Sequence, residues 1–380
     1  MRQMIMKPEL HQFETCQEFA EVFQIGEGDL ILTNRFIYEP YFGGLGLKAD
    51  VIFQEEFGSG EPTDEMFEAI CAAVNPEAVY KRVVGIGGGT VLDIAKLLVL
   101  KDCSPIAELY EHKREAVKEK QLCLIPTTCG TGSEVTNISI LAFLSKNIKM
   151  GLAADAMYAD EAVLIPQLLE GLPYRFFATS SIDALIHAVE SSLSPKATPY
   201  TELFGYKAIE EIIRGYQVIA EKGEEARKEL LNQFLTASNF AGLAFGTAGC
   251  AAVHAMSYPL GGTFHVAHGE ANYALFIGVM KKYMEIRQDG KIRKLNHFLS
   301  ELLECPYEEV YEKLEELLNK ILSKKTMKEY GATREMLVQW ADNVIEGQQR
   351  LMVNSFVPLG QKEVLEIYEA LYEQGGLKQE

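Results

Sequence analysis

The sequence predicts an α/β domain built on a mostly parallel sheet, followed by a domain made of helices alone. Four short apolar runs, at 29–33, 49–53, 83–86 and 122–125, alternate with helical stretches whose apolar residues recur with a period of 3.6. Buried strands that alternate with helices are typical of a parallel sheet covered on both faces. After residue 168, long helical patterns dominate and strand signals disappear.

A chain of 380 residues is long enough for two domains. We place the boundary near Gly171, so that the first domain covers 1–170 and the second covers 171–380. In the first domain, helices are predicted over 64–74 and 90–100. In the second domain, helices are predicted over 176–193, 200–221, 224–245, 307–325, 333–352 and 361–373.

Composition excludes several classes of partner. The net charge is −18, and so acidic a surface repels phosphate backbones and anionic lipid, which argues against nucleic-acid and membrane partners. No run approaches the roughly 18 apolar residues of a membrane span, and the start lacks the apolar core of a signal peptide. The seven cysteines are scattered without a CxxC pair, as is typical of reduced thiols in a cytoplasmic protein.

A glycine-rich segment, VVGIGGGTVLDIAK at 83–96, joins a predicted strand to a predicted helix. Glycines in such a turn bring backbone N–H groups close to a phosphate, and we expect Thr90 to cap the helix, whose N-terminus attracts anions. Thr90 stands where the third glycine of a G-x-G-x-x-G motif would be, and no acidic residue follows about twenty positions later. A tight βα turn without a ligand is the alternative.

A second loop, PTTCGTGSE at 126–134, follows the strand at 122–125 and is rich in hydroxyl groups. Such groups often satisfy backbone donors at helix starts, so a capped turn is the simpler explanation of this segment alone. Two loops that follow two strands of one sheet favour a shared dinucleotide at the carboxyl edge.

Metal-binding residues are predicted in the second domain. Asp183 and His187 are four residues apart, so they lie on one face of a helix. The chain has only seven histidines, and four of them lie between 187 and 268. One Asp and three His, with His254 and His268 completing the set, can hold Fe²⁺ or Zn²⁺ and leave a position open. A histidine within an apolar helix is, on its own, more often a satisfied core residue.

The segment after His254 contains Pro259 and the pair Gly261 and Gly262. We expect these residues to break the helix before His265 and His268. Such a break would let two histidines of one segment approach a common point from different directions.

In these motifs the chain resembles the iron-dependent (group III) alcohol dehydrogenase family. The resemblance covers nearly the whole chain, and the motifs match in order and spacing: GGGT-x-x-D-x-A-K at 87–96, TTCGTGSE at 127–134, DALIHAVE at 183–190 and HG at 268–269. Within the family, the chain is most similar to the 4-hydroxybutyrate dehydrogenases of anaerobic bacteria, through 32–34, 126–137, 172–174 and 346–351.

The resemblance implies a dehydroquinate synthase-like fold, a dimer or larger homo-oligomer, and a small-molecule substrate. It implies that Fe²⁺, or Zn²⁺ in some members, is bound by Asp183, His187, His254 and His268. It implies that NAD is bound by Asn34, Gly87, Gly88, Gly89, Thr90, Asp93, Thr127, Thr128, Thr131 and Lys149. Asn34 stands where NAD-preferring members often carry Asp, so NADP is not excluded.

The resemblance further implies hydride transfer between the nicotinamide and a short-chain alcohol or aldehyde, with the metal as Lewis acid. Many members have a histidine where this chain has Tyr258, so we consider Tyr258 and His265 as proton relays. Arg350 is a candidate partner for the carboxylate of 4-hydroxybutyrate, although a plain surface charge explains it equally well.

Four other functions stay open at this point. The substrate could be another short primary alcohol or diol, such as butanol or 1,3-propanediol. The chain could be a related NAD- and metal-dependent lyase, although the Asp-x-x-x-His spacing favours a dehydrogenase. It could also be an inactive nucleotide-binding scaffold, or a helical binding domain with structural histidines, which the two glycine- and hydroxyl-rich loops argue against.

Overall fold

The computed structural model describes residues 3–146 and 148–373. Packing divides them into two units, of which the first is Met6–Leu172 and the second begins at Pro173 and includes residues 3–5. We describe each unit by itself.

The first unit is built on a parallel sheet, as the sequence predicts. Within the described residues, six strands pair in parallel in the order β1-β8-β5-β4-β2-β3. Their bounds are β1 Glu9–Gln12, β2 Asp29–Thr33, β3 Asp50–Phe53, β4 Arg82–Gly87, β5 Gln121–Pro126 and β8 Glu161–Leu164. The four predicted strands are β2 to β5, and the most buried of them, β2, β4 and β5, lie side by side.

Four further segments of the first unit form strands that the sequence did not reveal. Two of them are the partners β1 and β8. The others are β6, Ile138–Phe143, and β7, Ile148–Ala153, which form an antiparallel pair outside the main sheet. β1 is mostly exposed, so it lacks the apolar run that marks a buried strand.

Helices accompany the strands of the first unit. Their bounds are α1 Cys16–Val22, α2 Arg35–Tyr41, α3 Asp64–Ala73, α4 Gly89–Leu98 and α5 Ala107–Tyr110. The predicted helices at 64–74 and 90–100 correspond to α3 and α4. Val91, Leu92, Ile94 and Ala95 of α4 are buried in the same core cluster as Leu30 and Leu32 of β2 and Leu122 and Leu124 of β5.

The second unit is helical, and no strand follows Leu164 within the described residues. Its helices are α6 Tyr174–Leu193, α7 Pro199–Lys222, α8 Leu231–Ala248, α9 Ala252–Phe264, α10 His268–Ile286, α11 Lys291–Leu303, α12 Val310–Ile321, α13 Arg334–Gly347, α14 Gln349–Met352 and α15 Gln361–Glu373. In the described part of the chain, no single helix is long and apolar enough to cross a membrane; one pair bent by 105°, Glu224–Ala248 with Ala252–Phe264, qualifies by length and composition only.

The predicted helix break at Pro259, Gly261 and Gly262 is wrong in position. α9 continues through all three residues and ends at His265, which has a left-handed backbone with φ of 53°. A proline inside a helix removes one hydrogen bond, but α9 buries residues 252–257 and Leu260. That burial outweighs the local cost, so the chain turns only between His265 and Ala267.

Candidate active site

The second unit brings the predicted metal ligands together, starting from α6. Asp183 and His187 lie one turn apart on this helix and are 4% and 5% exposed. α6 is buried along most of its length, from Phe177 to Leu193 apart from Ser180. Two groups that need hydrogen-bond or metal partners are therefore held in a largely apolar interior, where an unpartnered polar group is costly.

His254 and His268 approach Asp183 from two other helices. Asp183 Oδ1 lies 3.7 Å from His254 Nε2 and 3.9 Å from His268 Nε2. His254 is buried on α9, whereas His268 begins α10 and its side chain is 35% exposed. One ligand atom from each of the three residues lies within 4.8 Å of the other two. An ion with bonds of about 2.0–2.2 Å can bridge two atoms 3.7 or 3.9 Å apart, which are the two distances from Asp183 Oδ1.

His187 lies beside this trio and is held by ring packing. Its imidazole stacks on Phe245 at a centroid distance of 4.2 Å and on His254 at 4.6 Å. Atoms of His187, His254 and Cys250 also lie within 4.8 Å of one another. The structure thus places all four predicted ligands in one cluster and adds a thiol that the sequence did not point to.

A close helix contact fixes the position of His268. The next residue, Gly269, packs directly on the backbone of α6, where an added Cβ would lie 2.0 Å from the carbonyl oxygen of Thr179. Asn272, one turn later on α10, is fully buried and donates from Nδ2 to Asp183 Oδ1 at 2.7 Å. The same nitrogen lies 3.2 Å from His268 Nε2.

The described residues fit a divalent metal. His254 Nε2 is buried without a hydrogen-bond partner among them, and an unpaired buried nitrogen beside a carboxylate is the environment that an ion would satisfy. Asp and His are ligands that both Fe²⁺ and Zn²⁺ accept. Asp183, His187, His254 and His268 are the residues that would hold the ion.

The charge state of Asp183 also suits a ligand. Burial raises the pKa of this carboxyl group, but the opposing effects of His187, His268 and His254 and the hydrogen bond from Asn272 are larger in sum. The pKa therefore lies below its usual value, and the side chain is an anion at neutral pH.

The first unit gathers the predicted cofactor residues at the carboxyl edge of its sheet. β2, β4 and β5 are parallel neighbours, so the turns that follow them meet at one edge. Asn34 follows β2, the glycines 87–89 close β4 and open α4, and Thr127 follows β5, donating its backbone N–H to Gly87 at 3.0 Å. Ligands of open α/β sheets bind at this edge.

The two loops pack directly against each other. An added Cβ on Gly89 would lie 3.0 Å from Thr131 Cγ2, and one on Gly88 would lie 3.7 Å from Thr128 Cγ2. Gly87 has no room for a side chain, because an added Cβ would lie 2.5 Å from Val91. Because glycines have no side chains, the backbone at the start of α4 is not covered by residues 87–89 themselves.

Thr90 does not cap α4, contrary to the prediction. The N-cap is Gly88, which offers no side chain, and Thr90 already lies within the helix. Its hydroxyl instead donates to the carbonyl of Gly60 at 2.9 Å. The donors of the first turn of α4 therefore have no side-chain cap, and such free N–H groups are suited to a phosphate.

Asp93 and Lys96 of α4 form hydrogen bonds to the second loop and to the strand that follows it. Asp93 Oδ1 accepts from the Ser133 hydroxyl at 2.6 Å, and Oδ2 accepts from Ile140 N at 2.9 Å. The Lys96 amine, which is fully buried, donates to Ser133 Oγ at 2.6 Å and to the Ile138 carbonyl at 2.7 Å. Burial lowers the pKa of Lys96, with Asp93 acting in the opposite direction.

Asn34 lies next to an acidic residue of the neighbouring strand end. Its Nδ2 donates to Glu55 Oε2 at 2.9 Å and to Gln54 Oε1 at 3.1 Å. Glu55 also accepts from the backbone N–H of Arg35 at 2.7 Å. The guanidinium of Arg35 is paired with Glu56 at 2.6 Å, and Glu55 is the carboxylate that contacts the Asn34 side chain.

The remaining predicted residues are Lys149 in the first unit and Tyr258, His265 and Arg350 in the second. Lys149 lies on β7 and forms an ion pair with Glu61 at 2.5 Å. Tyr258 is half-buried on α9, with its ring centroid 6.1 Å from that of His268. His265 is exposed at the end of the same helix, and Arg350 is exposed on α14.

Glu190 is a further residue of the DALIHAVE motif, for which the sequence alone predicted no role. This buried carboxylate contacts His254 Nδ1 at 2.6 Å. Its position one turn after His187 on the ligand-bearing face was a usable signal. Asn272, one turn after His268, carried the same signal.

Comparison with known proteins agrees with this geometry. The profile of the "Iron-containing alcohol dehydrogenase" family matches residues 12–166, and that of the "Fe-containing alcohol dehydrogenase family, C-terminal" matches residues 177–372. The chain is 47% identical over 372 residues to 4-hydroxybutyrate dehydrogenase of Clostridium kluyveri, covering 98% of this chain and 100% of that protein. It is 38% identical over 306 residues to long-chain-alcohol dehydrogenase 1 of Geobacillus thermodenitrificans, covering 77% and 75%.

Solved structures share the fold. Sulfoacetaldehyde reductase from Bifidobacterium kashiwanohense, solved in complex with NAD⁺, superposes with a TM-score of 0.84 at 21% identity and covers 98% of this chain and 99% of that one. A 1,3-propanediol oxidoreductase gives a TM-score of 0.82 at 21% identity, with 98% and 100% covered. Because two family profiles together match most of its length, this chain belongs to the iron-containing alcohol dehydrogenase family.

Proposed function

We propose that the chain is an NAD-dependent alcohol dehydrogenase that interconverts 4-hydroxybutyrate and succinic semialdehyde. In the oxidative direction, a hydride leaves the carbon that bears the hydroxyl group for NAD⁺, and the hydroxyl proton is released, giving the aldehyde and NADH. The observation that carries this proposal is the 47% identity to the Clostridium kluyveri enzyme over the whole of both chains.

The metal site defines the reacting end of the substrate. Asp183, His187, His254 and His268 would hold the ion. When bound, a divalent ion supplies Lewis-acid chemistry, which favours negative charge on the substrate oxygen. We propose iron as the ion, because the chain belongs to the iron-containing family and because Asp and His, ligands without sulfur, bind Fe²⁺ well.

Proton transfer requires a group near the reacting oxygen, and we assign Tyr258 to it ahead of His265. The ring of Tyr258 lies beside the ligand His268, whereas His265 is exposed where α9 ends. Tyr258→Phe should lower kcat while His265→Ala leaves it close to that of the wild type. The reverse result would transfer the role to His265.

Cofactor binding is assigned to the carboxyl edge of the sheet. The uncapped start of α4 and the hydroxyls of the second loop support a pyrophosphate there. The residues concerned are Asn34, Gly87, Gly88, Gly89, Thr90, Thr127, Thr128 and Thr131, with Asp93 and Lys149 supporting them. We propose NAD rather than NADP, because the Glu55 carboxylate beside Asn34 would repel a 2′-phosphate.

The far carboxylate of 4-hydroxybutyrate needs a cation, and Arg350 stays our candidate. Its guanidinium is exposed, and a planar guanidinium can bind a carboxylate through two hydrogen bonds. Arg350→Ala should raise KM for succinic semialdehyde and leave KM for butyraldehyde unchanged. An equal effect on both aldehydes would show that Arg350 does not contact the carboxylate.

A second candidate function is oxidation of another short alcohol, such as butanol or 1,3-propanediol. It is supported by the 35% identity, over 52% of this chain, to a 1-propanol dehydrogenase of Salmonella typhimurium, a relative named for a short alcohol. The two candidates differ in kcat/KM across a panel of aldehydes of equal length with and without a terminal carboxylate.

The proposed function is tested by NADH oxidation with that panel, before and after chelation and re-addition of Fe²⁺ or Zn²⁺. We expect succinic semialdehyde to be the best substrate, with activity lost on chelation and restored by metal. Unchanged activity in protein shown to be free of metal would overturn the metal requirement. A preference for butyraldehyde would favour the second candidate.

We also propose a cytoplasmic homo-oligomer, a dimer or larger. None of the cysteines in the described residues forms a disulfide, which supports a reducing compartment, and family resemblance supports the oligomer. Light scattering of the purified full-length chain would test the oligomeric state, and a monomer at micromolar concentration would overturn it.

A further inference from the structure

Glu190 is a buried carboxylate, and both of its oxygens contact nitrogen atoms at or next to His254. It lies on α6, one turn after His187, and is 2% exposed. Its Oε1 accepts from Val253 N at 2.6 Å, and its Oε2 accepts from Ala251 N at 2.9 Å and lies 2.6 Å from His254 Nδ1.

These contacts determine which nitrogen of His254 carries the proton. Two backbone N–H groups can only donate, so the carboxylate they contact acts as an acceptor on both oxygens. His254 Nδ1 must then be the protonated nitrogen. In the neutral imidazole, the lone pair is left on Nε2, which is the buried atom without a hydrogen-bond partner among the described residues, 3.7 Å from Asp183 Oδ1.

We propose that Glu190 is a positioning residue for the metal site: it holds His254 in the Nδ1–H tautomer and directs the Nε2 lone pair at the ion. This inference rests on the proposed metal site and adds to it a residue that does not touch the ion. A carboxylate behind a histidine ligand also makes that ligand more basic and fixes its ring orientation.

One carboxylate thereby links three parts of the site. It extends from the helix that carries Asp183 and His187 to the start of α9, where it accepts from the backbone N–H groups of Ala251 and Val253, and to His254 itself. A change at Glu190 should consequently alter metal binding although the four ligands remain.

The near-isosteric variant Glu190→Gln tests this role, because glutamine has one acceptor oxygen and one NH₂ group. If the NH₂ group replaces Oε2, it faces His254 Nδ1 and favours the other tautomer, which places a proton on Nε2. If it replaces Oε1, it faces Val253 N–H, and two donors oppose each other. Both arrangements disturb the ligand.

The measurement is the affinity of the full-length protein for Zn²⁺, by competition with a chelating dye. We expect Glu190→Gln to bind Zn²⁺ about 10- to 100-fold more weakly than the wild type. Circular dichroism and thermal unfolding in chelator report whether each variant is folded. Long-range ¹H–¹⁵N NMR of the imidazoles should show an unprotonated Nε2 for His254 in the wild type and a changed pattern in the variant.

Ser194→Ala is the matched control. The Ser194 hydroxyl donates to the Ala248 carbonyl at 2.7 Å, so this variant loosens the same turn without touching an imidazole. It should lower stability and keep the Zn²⁺ affinity of the wild type. If Ser194→Ala weakens Zn²⁺ binding as much as Glu190→Gln does, loss of local stability explains both effects and the proposal is wrong.

A double-mutant cycle distinguishes failure of the proposed role of Glu190 from failure of the proposed metal site. In a His254→Ala background, Glu190→Gln should have less than about a twofold further effect on Zn²⁺ affinity, because its action passes through His254. Additive effects would overturn the positioning role. If His268→Ala weakens Zn²⁺ binding and Glu190→Gln does not, only the role of Glu190 fails; if neither does, the metal site fails.

Discussion

Gly269 and Thr179 lie so close that an added Cβ on the glycine would come within 2.0 Å of the threonine's carbonyl oxygen. The obstructing atom belongs to the backbone of α6, so it cannot rotate away as a side chain would. The same Cβ would lie 3.1 Å from the Cβ of the ligand Asp183. Any side chain at position 269 must push the start of α10, and His268 with it, away from α6.

Gly269→Ala should therefore lose both stability and metal. We expect a loss of about 1–3 kcal/mol in the free energy of unfolding, as for other overpacked sites, and a lower metal content in the purified protein. Thermal unfolding and elemental analysis measure the two effects.

Gly262→Ala is the control for that variant. Gly262 lies in α9, and an added Cβ there would meet nothing within 4 Å. Alanine at this position should be neutral or stabilising by up to about 1 kcal/mol. If Gly269→Ala behaved like Gly262→Ala, the close helix contact would not be a constraint.

His268→Ala should remove metal and turnover together while leaving the fold intact. The side chain is 35% exposed, so its loss costs little packing, but one ligand disappears. Metal affinity should fall by more than the roughly 10- to 100-fold that loss of an outer partner causes.

His297→Ala provides the comparison, since His297 is exposed on α11. It should retain both metal and activity. A fully active His268→Ala protein with no bound metal would contradict the assigned ligand set.

Glu55→Gln should relax the preference for NAD. Removing one negative charge near the expected 2′-phosphate changes the interaction by about 1 kcal/mol, or about fivefold in the ratio of kcat/KM for NADP to that for NAD. Steady-state kinetics at low ionic strength measure this ratio, and added salt should reduce the effect.

An exposed glutamate away from this edge, Glu77, serves as the control, and Glu77→Gln should leave the ratio unchanged. If Glu55→Gln and the wild type had the same ratio of kcat/KM for NADP to that for NAD, the Glu55 carboxylate would not discriminate between the two cofactors.

Lys96→Met should destabilise the first unit and weaken NAD binding. The substitution leaves the Ile138 carbonyl and the Ser133 hydroxyl without their buried donor, and breaking a buried charged network costs about 3 kcal/mol. Urea unfolding measures the loss, and KM for NAD should rise because only Asp93 then ties Ser133 of the second loop to α4.

Lys101 is exposed just beyond the end of α4. Lys101→Met should change neither the free energy of unfolding nor KM for NAD. If Lys96→Met also left both unchanged, the buried network would not stabilise the loops.

Much of the fold could be predicted because burial leaves a direct pattern in sequence. β2, β4 and β5 are apolar almost throughout, since neighbouring strands and helices cover both of their faces. β1 exposes most of its residues and depends on pairing with β8, which a single-sequence pattern does not encode. The path of α9 through Pro259 was missed because packing against the rest of the unit decides it.

The site divides in the same way. The residues whose chemistry is specific, Asp183, His187, His254 and His268, were identifiable from type and spacing. Asn272 contacts Asp183 and Glu190 contacts His254 where α6 packs against α10 and α9, and only the fold reveals those contacts. Glu55 is likewise identified by the pairing of β2 with β3 and not by its local sequence.

Helix α6 carries Asp183, His187 and Glu190 on one surface, so the metal site depends on the rotational register of a single element. Each residue of an α-helix turns the chain by about 100°. Inserting one alanine between His187 and Glu190 would leave every proposed ligand in the sequence. It would nevertheless rotate either Asp183 and His187, or the Glu190 carboxylate, away from the site. The site can therefore tolerate some substitutions but no insertion or deletion within this eight-residue span. Engineered changes of metal preference are better sought around the partially exposed His268.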